Sequence, residues 1–208
     1  MNDTVPVIQG FSRANLVTYL GIVSAVVGIV LCMKGEPLVV PILCLIVAGT
    51  CDMFDGSFAR LFHRSDHARA IGVQLDSLAD VLSFLALPIV VLAYFDLPIV
   101  AQVVVASLYA LAGVTRLAFF NAYADPDTPI SHYRGIPVTM AALVLSVLWL
   151  TSAVAGGPTD WLWLGGMVAL TIGFVVDVKV PKPTKKSLIG FAVLAVVMLA
   201  GVIWVGLR

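Results

Sequence analysis

The sequence predicts an all-α fold, a polytopic integral membrane bundle of about seven transmembrane helices, with six to eight as the bounds. Two bulk numbers and one pattern carry this: 61% of the 208 residues are hydrophobic, the mean hydropathy is +1.06, and the apolar residues fall in long runs. Such runs match the roughly 17–25 residues that cross a bilayer. The first, Ala14–Met33, follows Ser12-Arg13 with no small-residue cleavage site behind it, so it reads as a retained span and not a removed signal peptide. Leu38–Phe62 and Ile71–Tyr94 flank a polar stretch over 61–70, and Pro98–Ala122 ends at another over 123–135. Ile136–Ala155 stops at Gly156-Gly157-Pro158-Thr159, Asp160–Val176 is the shortest run, and Ser187–Gly206 follows a lysine-rich segment. No repeat or linker divides the chain. Residues 1–208 form a single domain, with an N-terminal cytoplasmic segment over 1–13 and a bundle over 14–206.

The net charge is zero, yet the charges are unevenly placed. With the N-terminus in the cytoplasm, ten of the twelve basic residues fall on that side: Arg13, Arg60, Arg64, Arg69, Arg116, Arg134, Lys179, Lys182, Lys185 and Lys186. The positive-inside rule therefore places the protein in the cell membrane with its N-terminus and its longer loops facing the cytoplasm. Turns on the other side are minimal, so function belongs to the membrane or its cytoplasmic face. No nucleic-acid partner is expected. Cys32, Cys44 and Cys51 lie in or beside apolar runs and read as packing residues. Trp149, Trp161, Trp163 and Trp204 read as interfacial anchors.

Four aspartates break the apolar pattern: Asp52 and Asp55 in the second run, Asp76 and Asp80 in the third. An aspartate at mid-bilayer costs roughly 2.5–3.5 kcal/mol, so four together require a compensating partner. Spacings of three and four put each pair on one helix face. About a turn centred near Asp66, Asp52 opposes Asp80 and Asp55 opposes Asp76, so the four carboxylates converge. An all-oxygen set favours a hard divalent cation, Mg²⁺ or Mn²⁺, and four carboxylates have room for two such ions. Phosphoryl-type transfer is the leading chemistry for such a centre. Gly56 and Gly72 clear space beside it, and Arg60 is placed for a phosphate oxygen. The alternative from a different class is a carboxylate-lined cation transporter.

Asp52-x-x-Asp55-Gly56-x-x-Ala59-Arg60 followed by Gly72-x-x-x-Asp76-x-x-x-Asp80 resembles the full signature of the CDP-alcohol phosphotransferases. A transporter has no need of Gly56, Ala59, Arg60 and Gly72 at these offsets. The resemblance implies a CDP-linked lipid donor, CMP as leaving group, two divalent metals held by the aspartates, and a homodimer. It implies that Asp52, Asp55 and Asp76 mainly bind metal while Asp80 is the general base. Asn15, Thr18, Gly56, Ala59, Arg60 and Gly72 then become the donor-binding residues, although Asn15 and Thr18 equally suit a polar helix start.

Within that family the stretch Leu75–Phe84, with Ser77 where glycerophosphate-using relatives usually carry proline, is similar to the serine-accepting phosphatidylserine synthases. So are Arg116–Asn121 and Gly135-Ile136-Pro137. This implies transfer of a phosphatidyl-type group to the serine hydroxyl, with Arg116, Asn121 and Arg134 as candidate acceptor or phosphate ligands. The sequence departs at Phe119, where those synthases usually carry a second arginine. Inositol phosphate, glycerol phosphate or choline are the alternative acceptors. Arg64 and Arg69 read as positive-inside anchors, and the lysines over 179–186 as contacts to anionic headgroups.

Overall fold

A computed structural model describes residues 11–123, 132–177, 179–181 and 185–208. The chain forms a helical membrane bundle of seven rods among these residues. They are α1 (Leu16–Met33), α2 (Val39–Ala59), a third rod in three parts, α5 (Ile99–Tyr123), α6 (Met140–Ala155), α7 (Thr159–Val175) and α8 (Lys185–Gly206). The third rod runs from α3 (Asp66–Asp80) through a π-helical segment (Val81–Ala86) into α4 (Leu87–Tyr94). Four rods are long and apolar enough to cross a membrane, and three further apolar stretches, Met140–Ala155, Thr159–Val175 and Gly190–Gly206, are shorter. The N-terminal segment anticipated over 1–13 lies mostly outside the described residues, as does Lys182.

Two boundaries differ from the hydropathy reading by four residues or more, each for a local reason. The third rod begins at Asp66, not Ile71, because Ser65 caps it by accepting a hydrogen bond from the Ala68 N–H. The turn therefore precedes Asp66 and is not centred on it. The fifth rod begins at Met140, not Ile136, because the Gly135-Ile136-Pro137 segment docks sideways on the end of α7. Gly135 has φ +76°, and a Cβ there would meet the Phe174 carbonyl oxygen at 3.0 Å, while the Ile136 N–H bonds the Gly173 carbonyl at 3.0 Å. A short antiparallel pair, β1 (His132–Arg134) with β2 (Lys179–Pro181), ties the α5–α6 and α7–α8 connections together, a contact the sequence reading did not anticipate.

Helix α1 packs most extensively on α2, α5 on α7, α6 on α7, and α8 on α2 and α6. The core is built from Ile42 and Leu45 of α2, Leu85 and Leu87 of the third rod, Leu145 of α6 and Met167 of α7. Leu20, Val23 and Val30 of α1 and Val100, Val103 and Leu108 of α5 face outward, as a lipid-exposed surface does. Two of the four tryptophans correct the interfacial reading: Trp149 and Trp163 are buried, whereas Trp161 and Trp204 are exposed. The Trp163 indole N–H reaches the Pro88 carbonyl at 3.2 Å, so its polar edge is satisfied by a helix backbone and not by interfacial water.

Candidate active site

The four intramembrane aspartates meet in one small cleft. Its lining also includes Thr18 and Gly21 of α1, Cys51 of α2, and Ala79, Ser83 and Phe84 of the third rod. Asp55 and Asp80 are buried, and Asp52 and Asp76 are half-buried. One oxygen from each of Asp52, Asp55 and Asp76 lies within 4.8 Å of the others. With metal–oxygen bonds of about 2.0–2.6 Å, ligands on opposite sides of one hard cation stand roughly 4–5 Å apart, so the three residues fit such an ion. Asp80 lies outside that group, within hydrogen-bonding reach of Asp52, while Asp76 stands in the same relation to Asp55. Carboxylates gathered this closely in an apolar bundle stay ionised together only beside a compensating positive charge.

Helix α1 completes the cleft. Gly21 lets it approach α2 so closely that a Cβ there would stand 3.3 Å from the Cβ of Cys51. That approach brings the Thr18 hydroxyl to the Asp55 carboxylate, to which it donates at 3.0 Å. A hydroxyl bonded to one oxygen of a carboxylate restrains its rotamer and leaves the other oxygen for a further partner. Asn15, one turn earlier, is buried and points its side-chain oxygen toward Gly72 of α3.

The motif residues divide by position. Ala59 is buried; Arg60 is exposed, and its Nε donates to the Gly56 carbonyl at 3.0 Å. Arg60 thus closes the C-terminal end of α2, where unpaired carbonyls favour a cation. Over Gly72 stands Arg64, a side chain read from the sequence as an anchor: its Nη1 lies 3.3 Å from where a Cβ at Gly72 would be. No helical spacing could have shown this, because the two residues lie on opposite sides of the Ser65 cap.

The candidate acceptor residues are only partly gathered. Asn121 of α5 and Ser77 of α3 exchange hydrogen bonds, at 2.8 Å from the amide and 3.1 Å from the hydroxyl. Ser77 neighbours Asp76, so this pair ties α5 to the helix that carries Asp76 and Asp80. Arg116 is half-buried, with its guanidinium 5.9 Å from the Phe120 ring centre. Phe119, at the departure from the synthase pattern, is 49% exposed and stacks on Tyr123 at 4.4 Å, on the outer face of α5. Arg134 enters through its backbone pairing with Lys179; its side chain lies outside the described part.

The sequence model of the CDP-alcohol phosphatidyltransferase family matches residues 11–176, spanning every element that lines the cleft. The chain belongs to this family. Similar proteins include the CDP-diacylglycerol–serine O-phosphatidyltransferase of Saccharomyces cerevisiae, 37% identical over 112 residues that cover 50% of this chain and 40% of that protein. The protein of the same name from Helicobacter pylori is 30% identical over 135 residues, covering 62% of this chain and 55% of its own. The archaetidylserine synthase of Methanothermobacter thermautotrophicus is 26% identical over 184 residues, 88% of this chain and 74% of its own. The matches thus span about half the length of the first two relatives. For a member of the CDP-alcohol phosphatidyltransferase family, a carboxylate cluster of this kind is the natural place for divalent metal.

Proposed function

We propose that this protein transfers a phosphatidyl-type group from a CDP-activated lipid to the hydroxyl of serine, releasing CMP. The observation that carries the reading is the convergence of Asp52, Asp55 and Asp76 with Asp80 beside them, in a member of this family. The names of the three relatives supply the acceptor: each is called a serine transferase or an archaetidylserine synthase. The donor is CDP-diacylglycerol or its isoprenoid-ether analogue.

Asp52, Asp55 and Asp76 would hold divalent metal, two ions of Mg²⁺ or Mn²⁺ with Asp80 contributing. When bound, the metal neutralises the donor diphosphate and stabilises charge developing on departing CMP. Asp80 takes the serine hydroxyl proton as that oxygen attacks the lipid-side phosphorus and the bond to the CMP oxygen breaks. Thr18 holds the Asp55 carboxylate in its ligating rotamer. Asn15, Gly56, Ala59, Arg60 and Gly72 frame the donor. Asn121, oriented by Ser77, together with Arg116 and Arg134, receives the zwitterionic acceptor. The chain works as a homodimer in the cell membrane, with this cleft open to the cytoplasm.

An acceptor panel tests the reading. Purified protein with CDP-diacylglycerol and Mn²⁺ should release CMP with serine and not with inositol phosphate, glycerol phosphate or choline. CMP release with one of those alcohols and not serine would replace the acceptor; no release with any would overturn the enzyme reading.

A further inference from the structure

We infer that Arg64 is a donor-binding residue whose guanidinium, held over Gly72, receives the diphosphate of the CDP-lipid at the entrance to the carboxylate cleft. The inference rests on the function proposed above. Alone among residues 60–65, Arg64 is half-buried; its neighbours in the loop are exposed. Its Nη1 lies 3.3 Å, and the Asn15 side-chain oxygen 3.5 Å, from the position a Cβ would take at Gly72. Both polar groups therefore stand over one bare stretch of α3 backbone. Two parallel ladders lead inward from there: Asn15 to Thr18 on α1, and Gly72 to Asp76 on α3, each one turn long, about 5–6 Å. Both end at the carboxylate cluster, through the Thr18–Asp55 hydrogen bond and through Asp76 itself.

Among the described residues the Arg64 side chain makes no hydrogen bond or ion pair. A membrane anchor would extend this side chain outward to headgroups. Here it folds inward across a glycine, and a Cβ at position 72 would press on its tip at 3.3 Å and shift it. A guanidinium suits two phosphate oxygens through paired N–H donors, and it balances donor charge on the side remote from the metal. Metal at the inner end and Arg64 at the outer end would hold the diphosphate between them.

The test measures CDP and cytidine binding by calorimetry to purified protein in uncharged detergent with Mn²⁺, comparing wild type, Arg64→Gln, Arg64→Lys and Arg69→Gln. Arg64→Gln should weaken CDP binding about tenfold or more, the scale of a lost charge-assisted hydrogen bond, and leave cytidine binding unchanged. Arg64→Lys should recover part of the loss. Arg69→Gln, which alters an exposed arginine on the first turn of α3, should bind CDP as wild type does. Donor KM should rise in Arg64→Gln while serine KM stays level. Gly72→Ala should weaken CDP binding in the wild-type background but add little in Arg64→Gln, because both act on the same guanidinium. Equal CDP affinity in wild type and Arg64→Gln would overturn the assignment and leave the function standing. Failure of wild type to bind CDP at all would instead sink the function itself. Equal losses for CDP and cytidine, or for Arg64→Gln and Arg69→Gln, would reduce Arg64 to a general structural or surface-charge role.

Discussion

On one side of Asp80 the third rod is polar and sparsely packed; on the other it is among the most tightly held stretches of the molecule. Within α3, Arg69, Val73, Gln74 and Leu78 are exposed, and only Ala79 and Asp80 are buried. Past Asp80, the residues Phe84, Leu85, Leu87, Val91 and Leu92 are all nearly inaccessible. The change of regime coincides with the π-helical segment Val81–Ala86, where the Leu87 N–H bonds back to the Leu82 carbonyl. Pro88 explains part of the anchoring. It has no N–H for the Phe84 carbonyl four residues earlier, and the Tyr109 hydroxyl supplies the missing donor at 2.7 Å. The Pro88 carbonyl in turn accepts from Trp163. The lesson is a division of labour: the buried half fixes the helix in place, so the polar half can carry costly carboxylates into the cleft.

If the two halves are separable, mutations should divide cleanly between activity and stability. The largest effect is expected from Asp55→Asn, which removes one charge of the carboxylate cluster while leaving an amide oxygen to accept from Thr18. Metal-dependent CMP release should fall by about a hundredfold or more, with the unfolding temperature in detergent unchanged or raised, since relieving clustered like charge is stabilising. Loss of both together would break the comparison. Next comes Tyr109→Phe, which orphans the Phe84 carbonyl; a cost of about 1–3 kcal/mol should appear as a lowered unfolding temperature, with both KM values kept. The smallest is Ser77→Ala, which frees Asn121. Serine KM should rise a few-fold, in line with the roughly 0.5–1.5 kcal/mol of one neutral hydrogen bond, while donor KM holds. A shift in donor KM instead would move Asn121 to the donor side.

The sequence made the membrane class legible because lipid demands long apolar runs, and it made the cluster legible because aspartates in such runs are expensive. Helical spacing then brought Asp52 to Asp80 and Asp55 to Asp76, even though the loop centre was misplaced by the Ser65 cap. Contacts between elements distant in sequence were not legible. Thr18 to Asp55, Ser77 to Asn121 and Tyr109 to Phe84 each depend on how rods pack, and no periodicity within one rod encodes that. The position of Arg64 was not legible for a related reason: positive charge near a helix end serves equally as an anchor and a ligand, and the sequence does not show that its tip lies over Gly72. Trp149 and Trp163 were misplaced because a tryptophan near a span end has two homes, the interface and the core.

The central claim is that the carboxylate cleft performs transfer with Asp80 as its base. The most direct measurement pairs CMP release with CDP-diacylglycerol binding in Asp80→Asn. The account predicts that turnover with serine falls by about two orders of magnitude or more while donor affinity stays within a few-fold of wild type. Wild-type turnover in Asp80→Asn, with the donor still bound, would contradict it.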